Sequence, residues 1–148
     1  MSAGEMMNSK LAPLLAVARV LMAYIFIRGG INKLGAIAAT AVQMGNHGIP
    51  FPELLVWGAI AMELGGGLLL ATGLYARWAA LALFFYTFTL ALLFHHYWAD
   101  PDAAAARTDA AFFYGHLSMM GGMLYVVVFG AGSCSLDRMM GRWNPTSN

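Results

Sequence analysis

The stretch Leu54–Leu74, LLVWGAIAMELGGGLLLATGL, decides the fold. Its length matches a helix crossing a hydrocarbon core about 30 Å thick, which takes about 20 residues. It is apolar throughout except at Glu63, near its middle, which three consecutive glycines, Gly65, Gly66 and Gly67, follow closely. A charge at the centre of such a helix costs roughly 2.5–3.5 kcal/mol, so it faces a bundle interior or a polar cavity. Ala59, Glu63, Gly67 and Ala71 recur every four residues, which puts Glu63 on a face of small residues suited to close helix packing.

Three more stretches have the same character: 11–30, 77–98 and 110–129. None alternates as a barrel strand would, and backbone groups in lipid must be satisfied internally, so all four read as helices. With 60% hydrophobic and 10% charged residues in 148, residues 1–148 form a single all-α membrane domain, a four-helix transmembrane bundle. The first span carries Pro13 in its first turn and is expected to stay, because Arg19 and Arg28 interrupt the apolar run of a cleavable signal. Between the first two spans, Ile37–Met44 is amphipathic and Gly45, Gly48, Pro50 and Pro52 follow. This predicts a short interfacial helix and a turn back into the membrane. Ser135-Leu136-Asp137-Arg138 reads as the capped start of a short surface helix.

Four spans place both termini on one side. Lys10, Arg77, Arg138 and Arg142 fall there, against Lys33 and Arg107, with Arg28 close by, and the acidic Asp100, Asp102 and Asp109 on the other. This bias favours cytoplasmic termini and an inner-membrane protein. A net charge of +1 excludes a nucleic-acid binder relying on bulk electrostatics. Cys134 is the only cysteine, so no intrachain disulfide, paired-cysteine redox motif or thiolate cage is possible. Redox chemistry would need a bound cofactor or a partner.

The charges inside the spans carry the functional signal. Two arginines in the first span nearly cancel its apolar insertion energy, so Arg19 needs a partner and Arg28 must reach the interface. At about 1.5 Å per residue, Arg19 lies roughly 12 Å and Glu63 roughly 17 Å from the terminal-side edge. Glu63 is the one acidic residue within reach, which predicts an Arg19–Glu63 pair. His116, Arg28, His95 and His96 fall in the opposite half, with Lys33 near its surface. Arg28, Lys33, His95, His96 and His116 are therefore the candidate ligand pocket. A buried carboxylate with a basic partner suits proton handling or a quinone headgroup; its plainer role is to fix helix register. Imidazoles suit quinone oxygens, a metal or haem. His95 and His96, about 100° apart on a helix, cannot share one centre, so a bis-histidine haem would use His95 or His96 with His116, and a metal would use His95 with His116. Their plainer role is an aromatic belt with Tyr97 and Trp98, with His47 in a loop. Phe84, Phe85, Tyr86, Phe88 and Phe94 could flank a flat ring, or simply pack or face lipid.

Taken in order, Ala18-Arg19, Phe26, Gly30 and Lys33, Met44-Gly45 to Pro50, Glu63-Leu64-Gly65-Gly66-Gly67, Gly73, Arg77, Phe94-His95, Gly121-Gly122 and Ser135-Leu136-Asp137 resemble the DoxX family of small four-helix membrane proteins. The likeness runs from about Ala18 to Asp137. The family is named after a membrane subunit of a thiosulfate:quinone oxidoreductase, and other members accompany membrane redox complexes. The resemblance thus implies an integral membrane subunit or accessory protein of a quinone-linked redox system, with lipid, a partner redox protein or a second copy around it. Arg28 stands where the family commonly has a small or hydroxyl residue, and Gly115-His116 where it commonly has Lys-Asn, which implies a variant site. The alternatives are a non-catalytic scaffold for a partner and, further off, a haem- or metal-binding protein.

Overall fold

A computed structural model describes residues 3–99 and 101–141, and the side chains from residue 11 onward. Asp100 and Arg142, used in the charge bias, and the side chain of Lys10 lie outside what is described. The elements are α1 (Ala3–Gly35), α2 (Ile37–Asn46), α3 (Pro52–Ala61), a π-turn (Met62–Gly66), α4 (Gly67–Thr72), α5 (Ala76–Phe94), a 3-10 turn (Tyr97–Ala99), α6 (Ala103–Phe129) and α7 (Leu136–Met139). Among the described residues, four helices are long and apolar enough to cross a membrane: Leu11–Gly35, Pro52–Thr72, Ala76–Ala99 and Ala103–Phe129. The four-helix bundle is as expected, and α2 is the short helix expected after the first span.

Three boundaries differ from the reading above. The first helix does not end near Gly30; it runs on to Gly35. Gly29 and Gly30 are there for close approach. A Cβ on Gly30 would lie 2.6 Å from Leu64 Cγ, and one on Gly29 would lie 2.8 Å from Glu63 Oε2. The same helix begins at Ala3, so Pro13 sits inside it and not in its first turn. The fourth helix begins at Ala103 instead of near 110, its first turn capped by Asp102 Oδ1 accepting from Ala104 N at 2.9 Å.

The second span lies at the centre. Its lower part, the π-turn and α4, packs on α1 on one side and α5 on the other, and α5 packs along α6. Ala23, Phe26, Leu70, Leu83, Met123 and Val126 from all four spans close a core on the terminal side. On the other side of the π-turn, α3 packs on α1 and α2 while α5 stays with α6. The helices part there, and the space between them is the cavity described below.

Arg19 belongs to a different feature from the one expected. It is 4% exposed, and its Nη2 donates to the Cys134 carbonyl at 2.6 Å. Gly73, with φ +72°, leaves room for its guanidinium; a Cβ there would collide with Arg19 Nη1. Asp137 accepts from the Tyr75 and Ala76 N–H groups at 2.8 and 3.0 Å, capping α5, and its own N–H bonds the Gly73 carbonyl at 3.0 Å. Ser135 caps α7 as expected, accepting from Arg138 N at 3.2 Å. Together these contacts clasp the C-terminal segment under the turn between the second and third spans. Arg19 is thus level with Gly73, ten residues or about 15 Å from Glu63. The depths misled because they set the start of the first span level with Leu74, whereas Gly73 lies beside Arg19, eight residues along that span.

Candidate functional site

A glutamate in mid-span needs both a partner and room. The π-turn widens the helix by one residue over Met62–Gly66, and Glu63 sits in it, 4% exposed. Single π-turns within α-helices occur frequently at functional sites. The Glu63 carboxylate meets Lys33: Nζ lies 2.8 Å from Oε1 and 2.9 Å from Oε2. Tyr86 Oη donates to Oε1 at 2.7 Å. The predicted Arg19–Glu63 pair does not form, and Lys33 takes that place. Helix geometry explains this. Lys33 is one turn beyond Gly29 on the same face, and helical side chains lean toward the N-terminus. Its four-carbon stem therefore reaches back across the bare glycine surface to the carboxylate. Tyr86 approaches from α5 on the face of the buried Ala79 and Leu83, at spacings of seven and three residues.

Lys33 and Tyr86 border a cavity of about 670 Å³ between the parted helices. This is within the usual range for small-molecule sites. Its walls are mostly apolar, with Met44 from α2, Leu55 from α3, Met62, and Leu90, Leu93 and Phe94 from α5. Thr40, Gln43 and Thr89 also line it, and its titratable groups His47, His95, Asp109 and His116 gather near the end of α5, about 12 Å of helix rise from Tyr86. His95 Nδ1 lies 3.2 Å from Asp109 Oδ1. The His95 and His116 rings are 5.1 Å apart, centroid to centroid. His116 Nδ1 donates to the Phe112 carbonyl at 2.7 Å. His47 stacks on Phe94 at 4.5 Å and its Nδ1 donates to the Gln43 carbonyl at 2.9 Å.

Of the five pocket residues expected, Lys33, His95 and His116 line this cavity, whereas Arg28 and His96 do not. Arg28 is exposed, one residue and about 100° around α1 from the face that Gly29 turns to Glu63. His96 is exposed and meets Trp98 edge-on at 6.4 Å. Sequence reasoning missed Asp109 and His47. His47, read as a loop residue, follows α2 directly and is carried over the cavity by it; nothing in its own neighbourhood of sequence signals that. Of the third-span aromatics, Tyr86 and Phe94 face the cavity; Phe85 and Phe88 are exposed and Phe84 packs on the core. Among the described residues, no three His, Cys, Asp or Glu side chains converge as a metal cage.

The arrangement binds more readily than it reacts. Lys33 and Glu63 cancel inside the site and the Asp109 carboxylate accepts from His95, so it suits an uncharged ligand with an apolar body and polar groups near both ends. A ring headgroup with oxygen substituents fits that donor set.

Comparison with known proteins agrees with the architecture. The profile of the DoxX family matches residues 14–96, the first three spans. The chain is 34% identical over 125 residues to Inner membrane protein YphA of Escherichia coli K12, covering 84% of this chain and 89% of that one. It is also 34% identical over 127 residues to Inner membrane protein YqjF of the same organism, covering 85% and 91%. No solved structure matches. With its four spans, the glutamate-glycine turn and relatives matched over most of their length, the chain belongs to the DoxX family of membrane proteins.

Proposed function

We propose that this chain is an inner-membrane ligand-binding subunit or accessory protein of a quinone-linked redox system, and that a quinone-type ring lies in the cavity between α3 and α5. One observation carries the reading: an apolar chamber of about 670 Å³ opens within the membrane-crossing part and has polar groups at both ends, Lys33 and Tyr86 at one and the histidines at the other. A lipid-soluble ring with oxygens is the ligand class that combines access from the bilayer with that pattern. Lys33, Tyr86, His95 and His116 hold the ring oxygens; Glu63 orients Lys33 and Tyr86. When bound, the quinone supplies the electron and proton carrier, and a partner redox protein exchanges electrons with it. The inner-membrane relatives support placement in the inner membrane, and the charge bias favours termini on the cytoplasmic side. The Lys33–Glu63 pairing favours a neutral headgroup over an anionic one.

A second reading, a scaffold that assembles a partner, is favoured by the exposed, largely apolar surface of α6, where Gly115 and Gly121 have open space beyond them. Titrating the purified protein in lipid nanodiscs with a short-chain 1,4-benzoquinone, read by quenching of tryptophan fluorescence, separates the two. Saturable quenching that empty nanodiscs and Glu63→Gln protein lack supports the ring site. Quenching that only tracks partition into lipid refutes it.

A further inference from the structure

The hydrogen-bond pattern of the cavity also distinguishes one oxidation state of the ring from the other; this step rests on the ring-site reading above. His47 and His116 each point Nδ1 at a backbone carbonyl, at 2.9 and 2.7 Å. A carbonyl oxygen has no proton to give, so both Nδ1 atoms carry one. An uncharged imidazole has a single N–H, which leaves each Nε2 as an acceptor only. His95 does the same toward the Asp109 carboxylate at 3.2 Å. At the other end, Lys33 commits N–H groups to both Glu63 oxygens and keeps one donor, because an ammonium has three. Tyr86 gives its proton to Glu63 and keeps only lone pairs. The histidine Nε2 atoms and the Tyr86 oxygen are thus acceptors, set against donors from one Lys33 N–H and the Gln43 amide on the α2 wall.

An oxidised quinone brings two carbonyl acceptors and no donor. Its hydroquinone brings two hydroxyls, each able to donate and to accept. We infer that the site selects the hydroquinone over the quinone, one ring hydroxyl donating to a histidine Nε2 at the far end while the other oxygen meets Lys33 or Tyr86. His116, half-buried beside His95, is the specificity-determining residue most directly placed for this.

The test compares three probes on the full chain in nanodiscs under anaerobic conditions at pH 8, above the ordinary imidazole pKa of about 6.5: a short-chain 1,4-benzoquinone, its hydroquinone, and the hydroquinone dimethyl ether, which cannot donate. The hydroquinone is expected to bind about five- to tenfold tighter than either of the others, the weight of one neutral hydrogen bond. His116→Phe lowers hydroquinone affinity more than quinone affinity, so the ratio between the two falls toward one. The ligand series needs no variant, so it stands even if that substitution disturbs folding. Equal affinities, or tighter quinone binding, overturn the selectivity and leave the ring site intact. Saturable binding by none of the three overturns both.

Discussion

Glu63 and Lys33 should be energetically coupled, and Glu63 and Arg19 should not. The perturbation is a double-mutant cycle of Glu63→Gln and Lys33→Met, beside a second cycle of Glu63→Gln and Arg19→Met. Lys33 Nζ is 2.8 and 2.9 Å from the two carboxylate oxygens, and the Lys33 and Glu63 side chains are 26% and 5% exposed. Removing one partner of a fully buried pair costs about 3–5 kcal/mol, whereas exposed pairs contribute about 0.2–1 kcal/mol. Lys33 is a quarter exposed, so the pair falls between, at a coupling of about 1–3 kcal/mol. Arg19 bonds the Cys134 carbonyl about 15 Å of helix away, so its effect adds to that of Glu63 within about 0.5 kcal/mol. Equilibrium unfolding in mixed micelles, followed by circular dichroism, measures both cycles. Coupling below about 0.5 kcal/mol to Lys33, or above about 1 kcal/mol to Arg19, would refute the assignment.

Three further outcomes follow from the same geometry. Gly30→Val should destabilise the protein by about 1–3 kcal/mol through overpacking, seen as a lower thermal midpoint, because even a Cβ there would meet Leu64 Cγ at 2.6 Å. Asp137→Ala strips both N–H caps from α5, whose N-cap residue Tyr75 offers none of its own; a loss of about 1–2 kcal/mol is expected, together with faster limited proteolysis in the C-terminal segment. Gly58→Phe projects a ring into the cavity from a position with open space beyond its Cα; the protein should accumulate normally while quinone binding falls at least tenfold, checked by the nanodisc titration.

How far the sequence could be read depended on whether a signal was local. The four spans were legible because each is a continuous apolar run, and Glu63 stood out because a mid-span carboxylate is costly wherever the helix goes. Its partner was not legible. Choosing between Arg19 and Lys33 needs the relative height of two antiparallel helices, and that height is set by Gly29 and Gly30 against Glu63 and Leu64, and by the C-terminal clasp beneath Gly73. The first span was read as ending near Gly30, but the helix continues to Gly35 and the glycine pair permits close approach to the neighbouring helix. The π-turn was hidden for a similar reason, since MELGG fits an ordinary helix until packing on both sides decides otherwise. His95 and His116 were legible as a pair across the third and fourth spans. Asp109 and His47 join them only through the fold: one from the early start of α6, the other from the path of α2 over the cavity.

Photoaffinity labelling tests the central claim most directly, that a ring-bearing lipid occupies the space above Glu63. An azido-benzoquinone is photolysed with the protein in nanodiscs and the adducts are mapped by mass spectrometry. The account predicts labels concentrated on Met62, Tyr86, Leu90 and Phe94, suppressed by excess unlabelled ligand. Labels spread over the lipid-facing Leu21, Trp78 and Tyr125, unchanged by competitor, would contradict it.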